Sequence, residues 1–247
     1  MNAFFAEFVG TAILVLLGNG VVANVVLERT KGQNSGWIVI TAGWGLAVYV
    51  AVVCVDETSG THINPAVSIS LALAGEFSWA LVPGYVVAQM AGGFTGAVLV
   101  YVFYRSHYEA TADTRAKLAT FCTAPAIPSP LSNLFSEVVG TFVLVLTVLL
   151  AAGATLTTTE GAAPTPIGLG ALGGLPVGLL VLAIGLSLGG TTGYAINPAR
   201  DLAPRLAHAV LAVPGKGDSD WNYSWIPVVG PVVGGALAAL AYRIAVA

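Results

Sequence analysis

The chain has 247 residues, of which 56% are hydrophobic and 9% charged; its net charge is −3 and its mean hydropathy +0.85. A soluble domain carries about a quarter charged residues, so nine basic and twelve acidic side chains could not clothe a water-facing surface of this size. The composition excludes a soluble domain, and the mildly acidic balance excludes a nucleic-acid binder.

Six stretches are long and apolar enough to cross a hydrocarbon core of about 30 Å, which takes roughly 20 residues of helix. In chain order they run over about Ala3–Leu27, Trp37–Val55, Trp79–Tyr104, Ser132–Gly153, Ile167–Gly189 and Trp225–Val246. The first lacks a basic flank and reads as a span rather than a cleavable leader. Lys31–Ser35 is a short polar connector, Arg105–Pro130 a long one, and Leu156–Pro166 a stretch rich in Thr, Ala and Pro with little charge. Thirty glycines fit a bundle whose helices approach closely. Cys54 and Cys122 have no metal-binding spacing and read as free thiols. No cofactor motif occurs, and His62, His107 and His208 stand apart without a paired nucleophile, so enzymatic chemistry has no residues to rest on.

Two further segments are helix-like but short: Pro65–Leu73 and Pro198–Leu206. About nine residues of helix cover roughly 14 Å, close to half the hydrocarbon thickness. Each opens on Asn-Pro, where Asn caps free amides and Pro suits the first helical position. A repeat sets them in register. Glu7-Phe8-Val9-Gly10-Thr11 returns as Glu137-Val138-Val139-Gly140-Thr141, Ile63-Asn64-Pro65-Ala66 as Ile196-Asn197-Pro198-Ala199, and Gly92-Gly93 as Gly234-Gly235. Each half, residues 1–125 and 126–247 of a single membrane domain, reads as span, span, half-helix, span. Three spans are an odd number, so the halves enter the membrane from opposite faces, and the Asn ends of the half-helices meet near its middle.

Two helix N-termini meeting there present unpaired amides and about half a positive charge each. The Asn64 and Asn197 amides add donors at the same spot. A water that gives its oxygen to both turns its hydrogens outward, which breaks a proton-hopping chain while the dipoles repel cations. The arrangement passes neutral molecules and rejects charge. One Asn-Pro-Ala alone is an ordinary helix cap; two copies at matching places in a repeat carry the argument.

The pair His62-Ile63-Asn64-Pro65-Ala66-Val67 and Asn197-Pro198-Ala199-Arg200-Asp201 resembles the major intrinsic protein family, the aquaporins and aquaglyceroporins, over nearly the whole chain from Glu7 to Arg243. The resemblance implies an all-α membrane protein of six transmembrane helices and two re-entrant half-helices in an inverted three-span repeat. It implies a homotetramer with one pore per subunit, multi-pass in the plasma membrane, with both termini cytoplasmic; abundant Ala, Gly and Val suit a bacterial one. It also implies a narrowest point lined by Trp44, Gly185, Tyr194 and Arg200. Arg200 supplies a fork of donors and a fixed charge, the aromatic pair offers walls for a carbon backbone, and Gly185 leaves space where a His would narrow the opening. That set, with Tyr104, Asp201, Arg205, Pro227 and Val228, is similar to glycerol facilitators and implies a passive channel for glycerol and water. Tyr194 departs from the Phe of the best-known members. Lactic acid, urea or dihydroxyacetone therefore remain alternative solutes, and an ion-coupled transporter an alternative class.

Backbone carbonyls of Thr61, His62 and Ile63 on one side and Gly193, Tyr194 and Ala195 on the other are expected to line the rest of the path. Glu7 and Glu137 read as acceptors for loop amides rather than as a proton relay, and His62 as a fixed helper of its loop rather than a pH switch. Asp201 reads as a structural partner in the neighbourhood of Arg200, and Tyr85, Tyr101 and Trp225 as core or belt aromatics. The positive-inside rule opposes the orientation that the resemblance implies. Arg29, Lys31, Arg105, Arg115 and Lys117 all fall outside in it, and among inside segments only Arg243 is basic.

Overall fold

The structure, a computed structural model, describes residues 1–151, 153–156 and 165–246. Most of the Leu156–Pro166 connector lies outside these; its ends, Thr155–Leu156 and Thr165–Pro166, pair as two short antiparallel strands. Among the described residues six helices have membrane-crossing length and apolarity. They are α1 (Ala3–Val26), α2 (Trp37–Ser59), α4 (Val82–Phe103), α7 (Pro130–Leu150), α8 (Leu175–Leu188) with the 3₁₀ turn Gly170–Gly174 before it, and α10 (Ile226–Val246). The half-helices are α3 (Pro65–Ala74) and α9 (Pro198–Val210), and two one-and-a-half-turn helices, α5 (Arg105–Ala110) and α6 (Thr114–Ala119), sit in the long connector. Most spans are apolar all round because one side meets lipid and the other meets protein.

Lipid tails give no hydrophobic drive for helices to associate, so close backbone contact must do it. Glycine supplies that contact in matched pairs. A Cβ on Gly92 would run into the Phe8 carbonyl of α1, and one on Gly234 into the Val138 carbonyl of α7. At the α2–α8 crossing Gly45 and Gly178 face each other, each added Cβ falling 2.7 to 2.8 Å from the other's carbonyl oxygen. Each half-helix packs on the last span of the opposite half, α3 on α10 and α9 on α4. Gly93 lets α4 approach the Ala199 carbonyl, 2.7 Å from where a Cβ would sit, and Gly235 lets α10 approach Ser70. The result is the inverted three-span arrangement with two half-helices.

Boundaries differ from expectation where turn chemistry intervenes. The fifth span becomes α-helical only at Leu175. Gly170 takes a left-handed φ of +54°, and Pro176 sits in the first turn of α8, where its missing N–H is harmless. The helix α2 runs past its apolar stretch to Ser59, whose hydroxyl bonds Glu7. Four residues are added to α9 beyond Leu206: the Lys216 ammonium donates to the carbonyls of His208, Ala209 and Leu211 and so caps the longer helix. The connector Arg105–Pro130 is more than a polar link, because Tyr108, Phe121 and Cys122 are buried with Leu27 and Val15 of the first span and its connector. Both cysteines are free, Cys54 exposed and Cys122 buried.

Overpacking costs about 1–3 kcal/mol, and at Gly234 the obstacle is backbone that cannot move aside. Gly234→Val should lower the melting temperature of the detergent-solubilised protein by roughly 5 °C or more. The exposed Gly190, where an added Cβ meets nothing, should tolerate Ala with a shift near zero.

Candidate functional site

Asn64 and Asn197 cap α3 and α9: the Oδ1 of Asn64 accepts from Ala66 N at 2.9 Å, and that of Asn197 from Ala199 N at 2.9 Å and Arg200 N at 3.2 Å. Pro65 and Pro198 occupy the first helical position in each case. The Asn nitrogens then cross over. Asn64 Nδ2 donates to Ile196 O at 2.8 Å, and Asn197 Nδ2 to Ile63 O at 2.9 Å. The two half-helices are thus joined tip to tip by a reciprocal pair of bonds, and each amide keeps one N–H to spare. Both asparagines line a cavity of about 250 Å³ that runs past Thr61, His62 and Ile63 to Asp56.

The loops feeding these caps are strained in the same way. Thr61 and Ile63 have φ of +48° and +42°, Tyr194 and Ile196 of +38° and +42°. Such left-handed conformations cost a side-chain-bearing residue about 1–3 kcal/mol each. A buried carboxylate holds each loop. Glu7 accepts from His62 N at 2.9 Å, Ile63 N at 2.6 Å, Ser59 Oγ at 2.7 Å and Gln89 Nε2 at 2.7 Å. Glu137 accepts from Ala195 N at 3.0 Å, Ile196 N at 2.7 Å and Thr192 Oγ1 at 2.7 Å. Neither carboxylate lines this cavity. His62 is fixed by Ser68 Oγ, 3.0 Å from its Nδ1, and by the rings of Phe77 and Tyr85. Tyr85, whose hydroxyl donates to Ser59 O at 2.9 Å, therefore supports the loop as well as filling the core.

A second cavity of about 350 Å³ opens beyond Gly193 and Trp37. Trp44, Tyr194 and Arg200 line both cavities, so the two abut at these three side chains. The Arg200 guanidinium lies 4.0 Å above the Trp44 ring centroid. The Trp44 indole in turn leans on Gly18, where any Cβ would strike it. Gly185 is not on the wall: Tyr194 fills its vacancy, the phenol carbon Cζ lying 2.8 Å from where a Cβ would be. The Gly185 carbonyl accepts from Trp37 Nε1 at 3.0 Å. Trp44 Nε1 and Tyr194 Oη have no protein partner among the described residues. Both atoms are buried, the Tyr194 hydroxyl tucked against Gly185, so these side chains offer ring surface rather than hydrogen bonds to the cavities.

A sequence model of the family described as major intrinsic protein matches residues 1–242. The chain belongs to the major intrinsic protein family. Among relatives of known annotation it is 55% identical to the probable glycerol uptake facilitator protein of Thermotoga maritima, over 98% of this chain and 99% of that one. It is 54% identical to the glycerol uptake facilitator protein of Streptococcus pneumoniae, over 99% of both. The X-ray structure of the aquaglyceroporin from Plasmodium falciparum superposes with a TM-score of 0.82 at 31% identity, covering 99% of this chain and 96% of that one. The family consists of membrane channels, and this member is a multi-pass membrane protein.

The other positions singled out in the sequence of this family member fall away from the path. Tyr104 caps α4 with its ring inclined at 60° to that of Phe103, Pro227 is buried in the first turn of α10, and Val228 lies beside it. Asp201 and Arg205 form a fully buried pair at 2.8 Å. Asp201 also accepts from Thr123 N and Oγ1, at 2.7 and 2.6 Å, so it serves Arg205 and the α6–α7 loop rather than Arg200. Sequence reasoning passed over Gly18, Asn19, Trp37 and Gln89; Asn19 and Gln89 stood out as polar side chains inside apolar spans, a signal that could have found them. Among the described residues no group of three or more His, Cys, Asp or Glu side chains is placed to hold a metal.

Replacing Glu137 by Gln turns one acceptor oxygen into a donor facing donors. A buried donor left unsatisfied costs about 1–3 kcal/mol, here at the strained Ala195–Ile196 turn. Glu137→Gln should leave folded protein with at least severalfold less solute flux per channel, read by vesicle light scattering against immunoblot quantity.

Proposed function

We propose that this protein is a passive channel that carries glycerol and water across the plasma membrane and excludes ions and protons. The observation that carries the reading is the joining of two helix N-termini through Asn64 and Asn197 in a cavity that meets a second one at Trp44, Tyr194 and Arg200, the narrowing of the proposed path. At the centre, two spare amide N–H groups donate to a solute oxygen while two positive helix ends repel cations. At the narrowing, a guanidinium faces aromatic walls. A polyol can keep its hydroxyls on Arg200 and its carbons on the rings, replacing its water shell edge by edge. The names of the relatives point to the same solute.

Gly185 acts in this scheme by seating Tyr194. The carbonyls of the two loops, from Thr61 to Ile63 and from Gly193 to Ala195, offer acceptors along the path, with Ile63 and Ile196 also tying the halves together. Glu7 and Glu137 are saturated with donors, which argues against an ion-coupled carrier that would need a titrating carboxylate there. Tetramers with one pore per subunit suit the exposed apolar faces of the bundle. Cytoplasmic termini rest on the family resemblance alone, since Arg29, Lys31, Arg105, Arg115 and Lys117 then lie outside, against the positive-inside rule.

In stopped-flow light scattering, proteoliposomes of the wild type should re-swell in glycerol severalfold faster than empty vesicles; equal rates would remove glycerol from the proposal. Arg200→Val should admit larger polyols or cations, and unchanged selectivity would place the constriction elsewhere. The Tyr194 hydroxyl is buried against Gly185, so Tyr194→Phe should leave the flux of lactic acid or urea relative to glycerol within about twofold of wild type, and a larger fall would point to a second reading in which such a solute bonds that hydroxyl.

A further inference from the structure

We propose that Asn19, wholly buried in α1, is a positioning residue for Arg200, tying the guanidinium of the narrowing to the α6–α7 loop. The inference rests on the filter reading above and extends it to a side chain that touches neither cavity. A guanidinium carries five N–H donors and a permanent charge, yet the contact from Arg200 Nη1 to Asn19 Oδ1, at 3.5 Å, is its side chain's single hydrogen bond among the described residues. The neighbouring carboxylate cannot compensate, because Asp201 is taken by Arg205 Nε and by Thr123.

The Asn19 amide is not free to flip. Its Nδ2 donates to Phe121 O at 2.8 Å, which turns the oxygen towards the cation and polarises it. Phe121 is itself held by packing: it is fully buried, its ring meets His208 edge-on with centroids 5.2 Å apart, and two residues on Thr123 O accepts from Arg205 Nη2 at 2.8 Å. A closed ring results, running from Arg200 through Asn19, Phe121 and Thr123 to Arg205 and so back to α9. The preceding residue, Gly18, seats the Trp44 indole over which Arg200 stacks. One turn of α1 therefore sets both the height and the heading of the filter arginine.

The test reads the ratio of glycerol to water permeability in proteoliposomes for four proteins. Asn19→Leu keeps the branching at Cγ and removes both bonds; the guanidinium then loses its anchor, and the ratio should fall about fivefold. Asn19→Asp keeps an oxygen towards Arg200 and should stay within about twofold of wild type. In an Arg200→Val background, Asn19→Leu should change the ratio no further. An unchanged ratio in Asn19→Leu, or the same fall with and without Arg200, would overturn the proposal and make Asn19 a structural residue only. If the Leu variant does not assemble, Asn19→Ala, too small to overpack the site, takes its place. A wild type that carries no glycerol would sink the solute assignment instead, and the same ratio is then read with whichever neutral solute it carries.

Discussion

Two like-charged helix ends are made to touch in the middle of an apolar bundle, and the rest of the structure answers that constraint. Each half-helix N-terminus carries about half a positive charge, so bringing two together is unfavourable unless something offsets them. Directly behind each loop sits a carboxylate, Glu7 on one side and Glu137 on the other, each accepting two backbone N–H groups of the strained turn. Their charge faces the positive ends and their oxygens satisfy the amides that the left-handed residues expose. The crossed bonds from Asn64 and Asn197 close the contact. Opposed dipoles, buried acids and crossed amides form one bonded unit.

Where the tips meet is decided at a distance, by glycine. A half-helix can only reach the centre if the span behind it lets it slide inward. Gly93 of α4 lies against the Ala199 carbonyl of α9, and Gly235 of α10 against Ser70 of α3. These contacts sit within the first two turns of each half-helix, so they hold its N-terminus rather than its tail. Gly10 and Gly140 make room for Ile63 and Ile196, the side chains next to each Asn. A methyl group at any of these would push on the residues that orient the amides, which ties the depth of the crossings to the geometry of the central contact.

Much of this was legible because the repeat writes each device twice. The Asn-Pro-Ala pair, the Glu at the head of a span and the Gly-Gly pair are spaced alike in both halves, so a single sequence identifies the half-helices and their meeting. Family resemblance then supplied the positions of the narrowing. What could not be read is three-dimensional in origin. The start of α8 follows from a left-handed Gly170 rather than from apolarity, which continues unbroken across it. The connector Arg105–Pro130 looks polar because Lys117 and Thr123 are charged or hydroxylic, yet Lys117 is buried and Thr123 is bonded to Asp201. Gly185 looked like open space in the sequence, whereas the Tyr194 ring occupies it. Asn19 is one polar letter in an apolar run, and only the fold shows that it faces Arg200.

The centre and the narrowing divide the work of selection on the proposed reading. The joined helix ends act on charge: their field is fixed by backbone and changes little with the side chains around it. The narrowing acts on shape and on hydrogen-bond pattern, and there the side chains decide. Trp44 and Tyr194 bring ring surface, and Arg200 holds several more N–H groups than its one bond to Asn19 consumes. A solute entering this point must therefore supply acceptors, and must supply them without bringing a water shell. Water alone does so with a single oxygen, while a polyol presents two or three oxygens in a row and also gives its carbons to the rings. Such a filter need not be wide to prefer the larger solute. It needs its donors held still, and that is why residues behind the wall, out of reach of any solute, bear on what passes.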